Sequence, residues 1–393
     1  GLPAASDFDG GVVNTNVEIL FRPSITLDNG MTFGAVVELE GNTSGDQIDE
    51  SYMYVESDSM GRVELGSENS VGYKMMTGAP SVGFGIASPS YSAYMPISGN
   101  IPGRTRTLTD GTIAPVSILR GNLGNPGLTR NAFGSTATEV ARNNDALRIS
   151  YYTPSFNGLT LGVSYAPGTS ETNGQTDRNA GVSDIFDIAA NYSQSFGNVD
   201  MTLSARWGTG DAGTTFASTA AGLDGVVGTA DDILTPAVVQ QDDPTTWGVG
   251  AQFGIGAFTF GGAYAENDAG AVAAGTGALA GLPAVSTGGG DSEGYHLGVT
   301  YALDNAWTIG FDTYQGEQNL GSSAGFDNKA EYSAFQLGAS RSLGSGVTWR
   351  IYAIQAEVKA STNNPAGFNG NGLLDTSYKV ESTTIGTGIA LTF

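Results

Sequence analysis

In the closing stretch of the chain, Thr383, Ile385, Thr387, Ile389, Leu391 and Phe393 alternate with Thr384, Gly386, Gly388, Ala390 and Thr392. An extended backbone sends the first, greasy set to one side and the second, small and wettable set to the other. The same two-residue period returns from residue 16 onward in segments of about ten residues, the length that crosses a bilayer as a tilted strand. Hydrocarbon holds no water to satisfy backbone N–H and C=O groups, so strands persist there only when each is paired along both edges in a closed wall. The expected fold is all-β: one transmembrane antiparallel β-barrel domain over residues 1–393.

Short breaks alternate with long ones. The short ones carry turn chemistry: Asp28-Asn29-Gly30, then 58–61, 155–158, 196–198, 254–257, 303–306 and 343–346. The long connections lie near 41–47, 67–142, 167–183, 208–245, 265–293, 316–330 and 359–382. Short on one rim and long on the other is the outer-membrane pattern, with turns toward the periplasm and loops outside. The breaks delimit fifteen spans: 16–27, 31–41, 48–57, 61–67, 143–153, 158–167, 184–196, 198–208, 246–255, 257–266, 294–303, 306–316, 331–342, 346–358 and 383–393. Bacterial single-chain barrels have an even number of strands, so sixteen are expected, the first lying upstream of Gly1.

Composition agrees with a wet interior. The chain has 59 glycines and 14 prolines but is only 40% hydrophobic, too little for a large sealed core. No stretch is apolar enough for a helical span; the uncharged run Ala269 to Gly290 contains Pro283 and reads as a flexible loop. Residues 1–10 lack the basic and apolar parts of an export signal, so any such signal has been removed or lies outside this sequence. There is no cysteine, hence no disulfide or thiolate metal site. Residues 67–142 hold six basic residues against three acids, a balance of +3, which leaves −26 of the total −23 to the remainder. Such a chain is a poor partner for nucleic acid; its acidity serves solubility or forms a mouth that attracts cations.

Alternation assigns faces. Lipid-facing sets include Val17, Ile19 and Phe21; Leu159, Leu161, Val163 and Tyr165; Trp247, Val249, Ala251 and Phe253; Trp307, Ile309 and Phe311; Val347, Trp349 and Ile351. Arg22, Arg62, Arg148, Arg206 and Arg350 fall on the opposite phase. A charge facing lipid at mid-membrane costs ~2 to 4 kcal/mol, so five arginines on the wet side support the register.

Four passages carry a family likeness. RNNDALRISYYTPSFNGLTLGVSY at 142–165, GRVELGSE at 61–68, EILFRPSITLDNGMTFGAVVELE at 18–40 and the terminal Phe393 resemble the general diffusion porins of Gram-negative bacteria, alphaproteobacterial type. The resemblance implies a sixteen-stranded homotrimeric channel in the outer membrane. Small hydrophilic solutes and ions would diffuse through it passively, and no cofactor is required. It also implies a third loop, residues 67–142, folded inward as a constriction. In relatives, wall arginines oppose acids on that loop; Arg22 and Arg148 occupy matching strands here. The lining candidates are Arg22, Arg62, Arg148, Arg206 and Arg350 from the wall, with Arg104, Arg106, Asp110 and Glu139 from the loop. Two departures stand out. The span at 48–57 offers Asp49, Glu50 and Glu56 but no arginine, and the loop carries more bases than acids. Either the basic cluster is split between wall and loop, or Arg104 and Arg106 pair with wall acids such as Glu18 and Glu38.

Other constellations point elsewhere. GLDGVVGTADDIL at 222–234 places Asp224, Asp231 and Asp232 around glycines, the oxygen-rich kind of loop that calcium takes; a solvated acidic loop is the alternative. Divalent ions there would meet the phosphates of lipopolysaccharide, an expected neighbour. The single histidine, His296, falls on the lumen phase without a nucleophile nearby in sequence, so no enzyme is expected. A substrate-specific channel and a non-conducting structural or adhesive surface barrel remain the rival readings.

Overall fold

The computed structural model describes residues 10–11, 13–41, 47–86, 144–172, 174–178, 182–212, 243–268, 291–323, 326–362 and 377–393, together with short extended pieces at 105–107, 113–115, 218–220, 233–235, 239–240 and 272–273. One antiparallel sheet of sixteen segments dominates. In chain order these are β1 (Glu18–Phe21), β2 (Ser24–Thr26), β3 (Thr32–Glu40), β4 (Ile48–Ser57), β5 (Gly61–Ser67), β6 (Leu147–Tyr152), β7 (Leu159–Gly168), β8 (Ser183–Phe196), β9 (Val199–Asp211), β10 (Thr245–Ile255), β11 (Phe258–Asp268), β12 (Ser292–Ala302), β13 (Trp307–Ser323), β14 (Phe326–Gly344), β15 (Val347–Thr362) and β16 (Ser377–Leu391).

β1 and β2 lie end to end along β3, so the sixteen segments make the fifteen expected spans. The break between them falls at Pro23, which has no N–H to give to a ladder; its carbonyl still accepts from Ala35 N at 3.1 Å. From β3 onward each strand pairs with the next, and β1 and β16 form the two edges of the sheet. All seven short turns contain a residue with positive φ. At 303–306 it is Ala306, with φ 66°, a conformation that ordinarily falls to glycine or asparagine. One expected loop is corrected. Residues 316–330 are no long connection, because β13 and β14 continue past the apolar belt as a ladder that reaches Ser323 and Phe326.

The two faces separate as the period requires. On one, large apolar side chains stand open, among them Leu337 (64% exposed), Ile385 (80%), Val249 and Phe311. Aromatic pairs band that face: Trp307 with Trp349 at 5.5 Å and Phe258 with Tyr301 at 4.5 Å toward the short turns, Trp247 with Tyr264 at 5.3 Å toward the long connections. Beyond the band, Lys329 pairs with Glu317 at 2.6 Å, and Lys379 with Glu357 and Glu381 at 2.7 and 2.6 Å. The other face holds glycine, alanine, serine, threonine and, within the apolar belt, the charged groups. No helix among the described residues is long and apolar enough to cross a membrane.

Candidate functional site

Beyond β5 the chain does not return to the wall as the next strand at once. It forms a short helix, α1 (Val71–Lys74), capped by Ser70, whose hydroxyl accepts from Tyr73 N. It then runs extended to Ile86 along the lumen-side face of the sheet. Each step of this strap is tied down. Arg148 Nε on β6 donates to the Glu68 carbonyl at 2.6 Å, and Ser150 Oγ donates to the Glu68 carboxylate at 2.9 Å. Asn191 Nδ2 on β8 donates to the Met75 carbonyl at 3.0 Å, and Thr77 N donates to Ser204 Oγ on β9 at 2.8 Å. At the far end Phe84 N donates to Gln336 Oε1 on β14 at 2.8 Å, and Arg350 Nη1 on β15 donates to the Gly83 carbonyl at 3.5 Å.

What lets main chain lie so close to a sheet is a track of glycines on the lumen phase. A Cβ on Gly162 would strike Met75 and Val71; on Gly250, the Thr77 carbonyl; on Gly298, the Pro80 carbonyl; on Gly338, the Val82 carbonyl. The close approach excludes water from the seam and buries Val71, Met75 and Ala189 together.

The near end of the strap is ionic. Lys74 Nζ reaches Glu64 at 3.2 Å and Glu68 at 2.5 Å, while Arg62 reaches Glu56 at 2.8 Å and Glu64 at 2.6 Å. Arg62 also lies over the Tyr54 ring, 3.7 Å from its centre. Asn69 Nδ2 joins Glu50 at 2.6 Å to Asp145 at 3.0 Å. Burial, and then the neighbouring Glu64 carboxyl, push the Glu68 carboxyl up to about 8. Burial works against the charge on Lys74, but Glu68, Glu64 and Glu50 more than offset it and hold its ammonium above the usual lysine range.

The five wall arginines all lie on the lumen phase, in three kinds of place. Arg148 and Arg206 are 2% and 4% exposed beneath the strap; Arg206 Nη2 donates to Thr246 Oγ1 at 2.7 Å. Arg62 is half-buried in the acidic cluster. Arg22, 3.9 Å from Glu38, and Arg350 stand open. Of the loop candidates, Arg106 sits in Thr105–Thr107, paired with Ile113–Pro115. Its side chain, and Arg104, Asp110 and Glu139, lie outside the described residues, as do Asp224, Asp231 and Asp232. No metal-holding group of three His, Asp or Glu residues occurs among the described residues.

Sequence reasoning missed the strap's seat. Lys74 and Glu68 entered only as charges of the third loop, Glu64 only within the passage at 61–68, and the glycines only as small lumen residues. Recurrence of glycine on one phase across β7, β10, β12, β13 and β14 was the available signal.

A family profile described as Gram-negative porin matches residues 2–364. No curated protein sequence matches the chain. Among solved structures, the anion-selective porin of Comamonas acidovorans is similar over 96% of this chain and 90% of its own, with 15% identity and a TM-score of 0.50. OmpF of Salmonella typhi, in complex with daunomycin, covers 98% of this chain and 94% of its own at 12% identity and a TM-score of 0.48.

Proposed function

This chain belongs to the Gram-negative porins, and on that premise we infer how its outer-membrane diffusion channel selects what passes. A porin needs no reacting group: a fixed aqueous hole lets small hydrophilic solutes run down their own gradients, and width and wall charge do the sorting. The constriction is the third connection, 67–142, whose opening part is the strap on β6–β15. Among the described residues the strap touches β4 and β5 only at its ionic end, through Glu50 and Glu64, and leaves β1 to β3 uncovered. The wall of β1 to β4 turns Glu18, Glu38, Glu40 and Glu56 to the lumen against Arg22 and, from β5, Arg62, and both arginines sit within ion-pair reach of acids. This excess of carboxylates carries the reading that cations pass in preference to anions. Arg22, Arg62 and Arg350 line the path, together with Arg104, Arg106, Asp110 and Glu139 from the rest of the loop. Arg148 and Arg206 act from beneath as braces.

The channel works as a homotrimer. The lipid-side residues of β3, β5 and β6, among them Phe33, Val37, Leu65 and Ile149, are uncharged, as a face set against lipid or against another protomer requires. Outer-leaflet lipopolysaccharide meets the remaining walls, where lysines and glutamates rise above the aromatic band. Conductance of the purified protein across a planar bilayer in KCl, with the reversal potential read under a salt gradient, tests the reading. Current in steps of three with cation-side reversal is expected. Silence removes the channel, and anion-side reversal removes the cation preference.

A further inference from the structure

Gln336 on β14 and Asp312 on β13 are both wholly buried at 0% exposure, directly opposite each other in the ladder. Gly298, Gly310, Ala334 and Gly338 lie beside them on this phase, with His296, Tyr314 and Ile354, so a buried amide and carboxylate there need a reason. A buried amide is tolerable only with its bonds made, and here they are. Gln336 Nε2 donates to Asp312 Oδ1 at 3.0 Å and to Ser81 Oγ at 3.1 Å, and Gln336 Oε1 accepts from Phe84 N at 2.8 Å. The other oxygen of Asp312 faces His296 Nε2 on β12 at 3.1 Å. A carboxylate can only accept, so Asp312 forces the amide to present its nitrogen to the wall. The carbonyl of the amide is thereby left to meet the strap. Val82 meanwhile lies on Gly310 and Gly338, one on each strand, so no side chain lifts the strap off this seat.

We propose that Gln336, oriented by Asp312, is a positioning residue that latches the far limb of the strap to the wall and so fixes the width of the channel beside it. The proposal rests on the strap being part of the constriction. It is separate from the ionic anchor at Lys74, and it acts on bore rather than on charge.

Gln336→Leu in the full-length protein tests it. Among channels that insert, open-channel current noise should rise several-fold and mean conductance should shift, with the reversal potential unchanged. A merely structural role would lower heat resistance and leave the noise of the surviving channels alone. Inserted Q336L channels with wild-type noise and conductance overturn the proposal. Should Q336L fail to assemble, Ser81→Ala removes one latch bond from the strap side and leaves the wall intact: a smaller rise in noise supports the latch, and none overturns it. Wild-type protein that carries no current would instead remove the channel reading beneath it.

Discussion

The carbonyl oxygen of Thr77 occupies the space that a side chain on Gly250 would need. The same residue's N–H is held by Ser204 at 2.8 Å, so the strap cannot slide to make room. Forcing a side chain into a packed seam costs ~1–3 kcal/mol. Gly250→Val should therefore push the strap off the wall and lower single-channel conductance, while neighbouring Val249→Ala, which faces lipid, should leave conductance unchanged.

Lys74→Met removes the cation between Glu64 and Glu68. Above about pH 8, where Glu68 is ionised, stranding buried carboxylates costs about 3 kcal/mol, and the loss should appear as a lower unfolding temperature of the barrel. Lys74→Met combined with Glu68→Gln should recover most of it.

Glu68 gives the anchor a pH dependence. Its carboxyl titrates near 8 in the fold against 4.5 when free, burial being the main cause. Between those values the folded chain holds a proton that the unfolded chain has released, so stability falls as pH rises through the window and is level on either side. Heat unfolding followed from pH 4.5 to about 8 should show the decline, and Glu68→Gln should flatten it.

Glu38 and Glu40 lie on β3, clear of the strap. Changing both to glutamine should move the reversal potential toward zero with little change in conductance, because neither touches the strap. An unmoved potential would place the selectivity elsewhere on the loop.

Leu337 and Gln336 are adjacent in sequence and point to opposite faces of the sheet, Leu337 to lipid and Gln336 under the strap. Leu337→Arg should cost ~2 to 4 kcal/mol at mid-membrane and reduce insertion of the folded barrel. Arg350→Leu, on the lumen side, should insert normally.

The two-residue period made the spans, the turns and the faces readable, because lipid and water act on each residue where it stands. Trp247 beside Gly248 is enough to orient β10. The strap was not readable in this way, because its seat is made by residues far apart in the chain: Thr77 meets Gly250 and Phe84 meets Gln336. For the same reason Arg148 and Arg206 could be assigned a face from sequence, but not the cover above them. Residues 316–330 were misjudged because, past the hydrocarbon, polar strands lose the contrast on which the period depends.

Since main-chain carbonyls meet the wall at Gly250, Gly298 and Gly338, the spacing between these two layers behaves like a fixed gauge. Glu18, Glu38 and Glu40 on β1 and β3 stand outside it. Substitutions there can retune which ions are welcomed without resizing the aperture, so a lineage could alter its permeability in two independent steps.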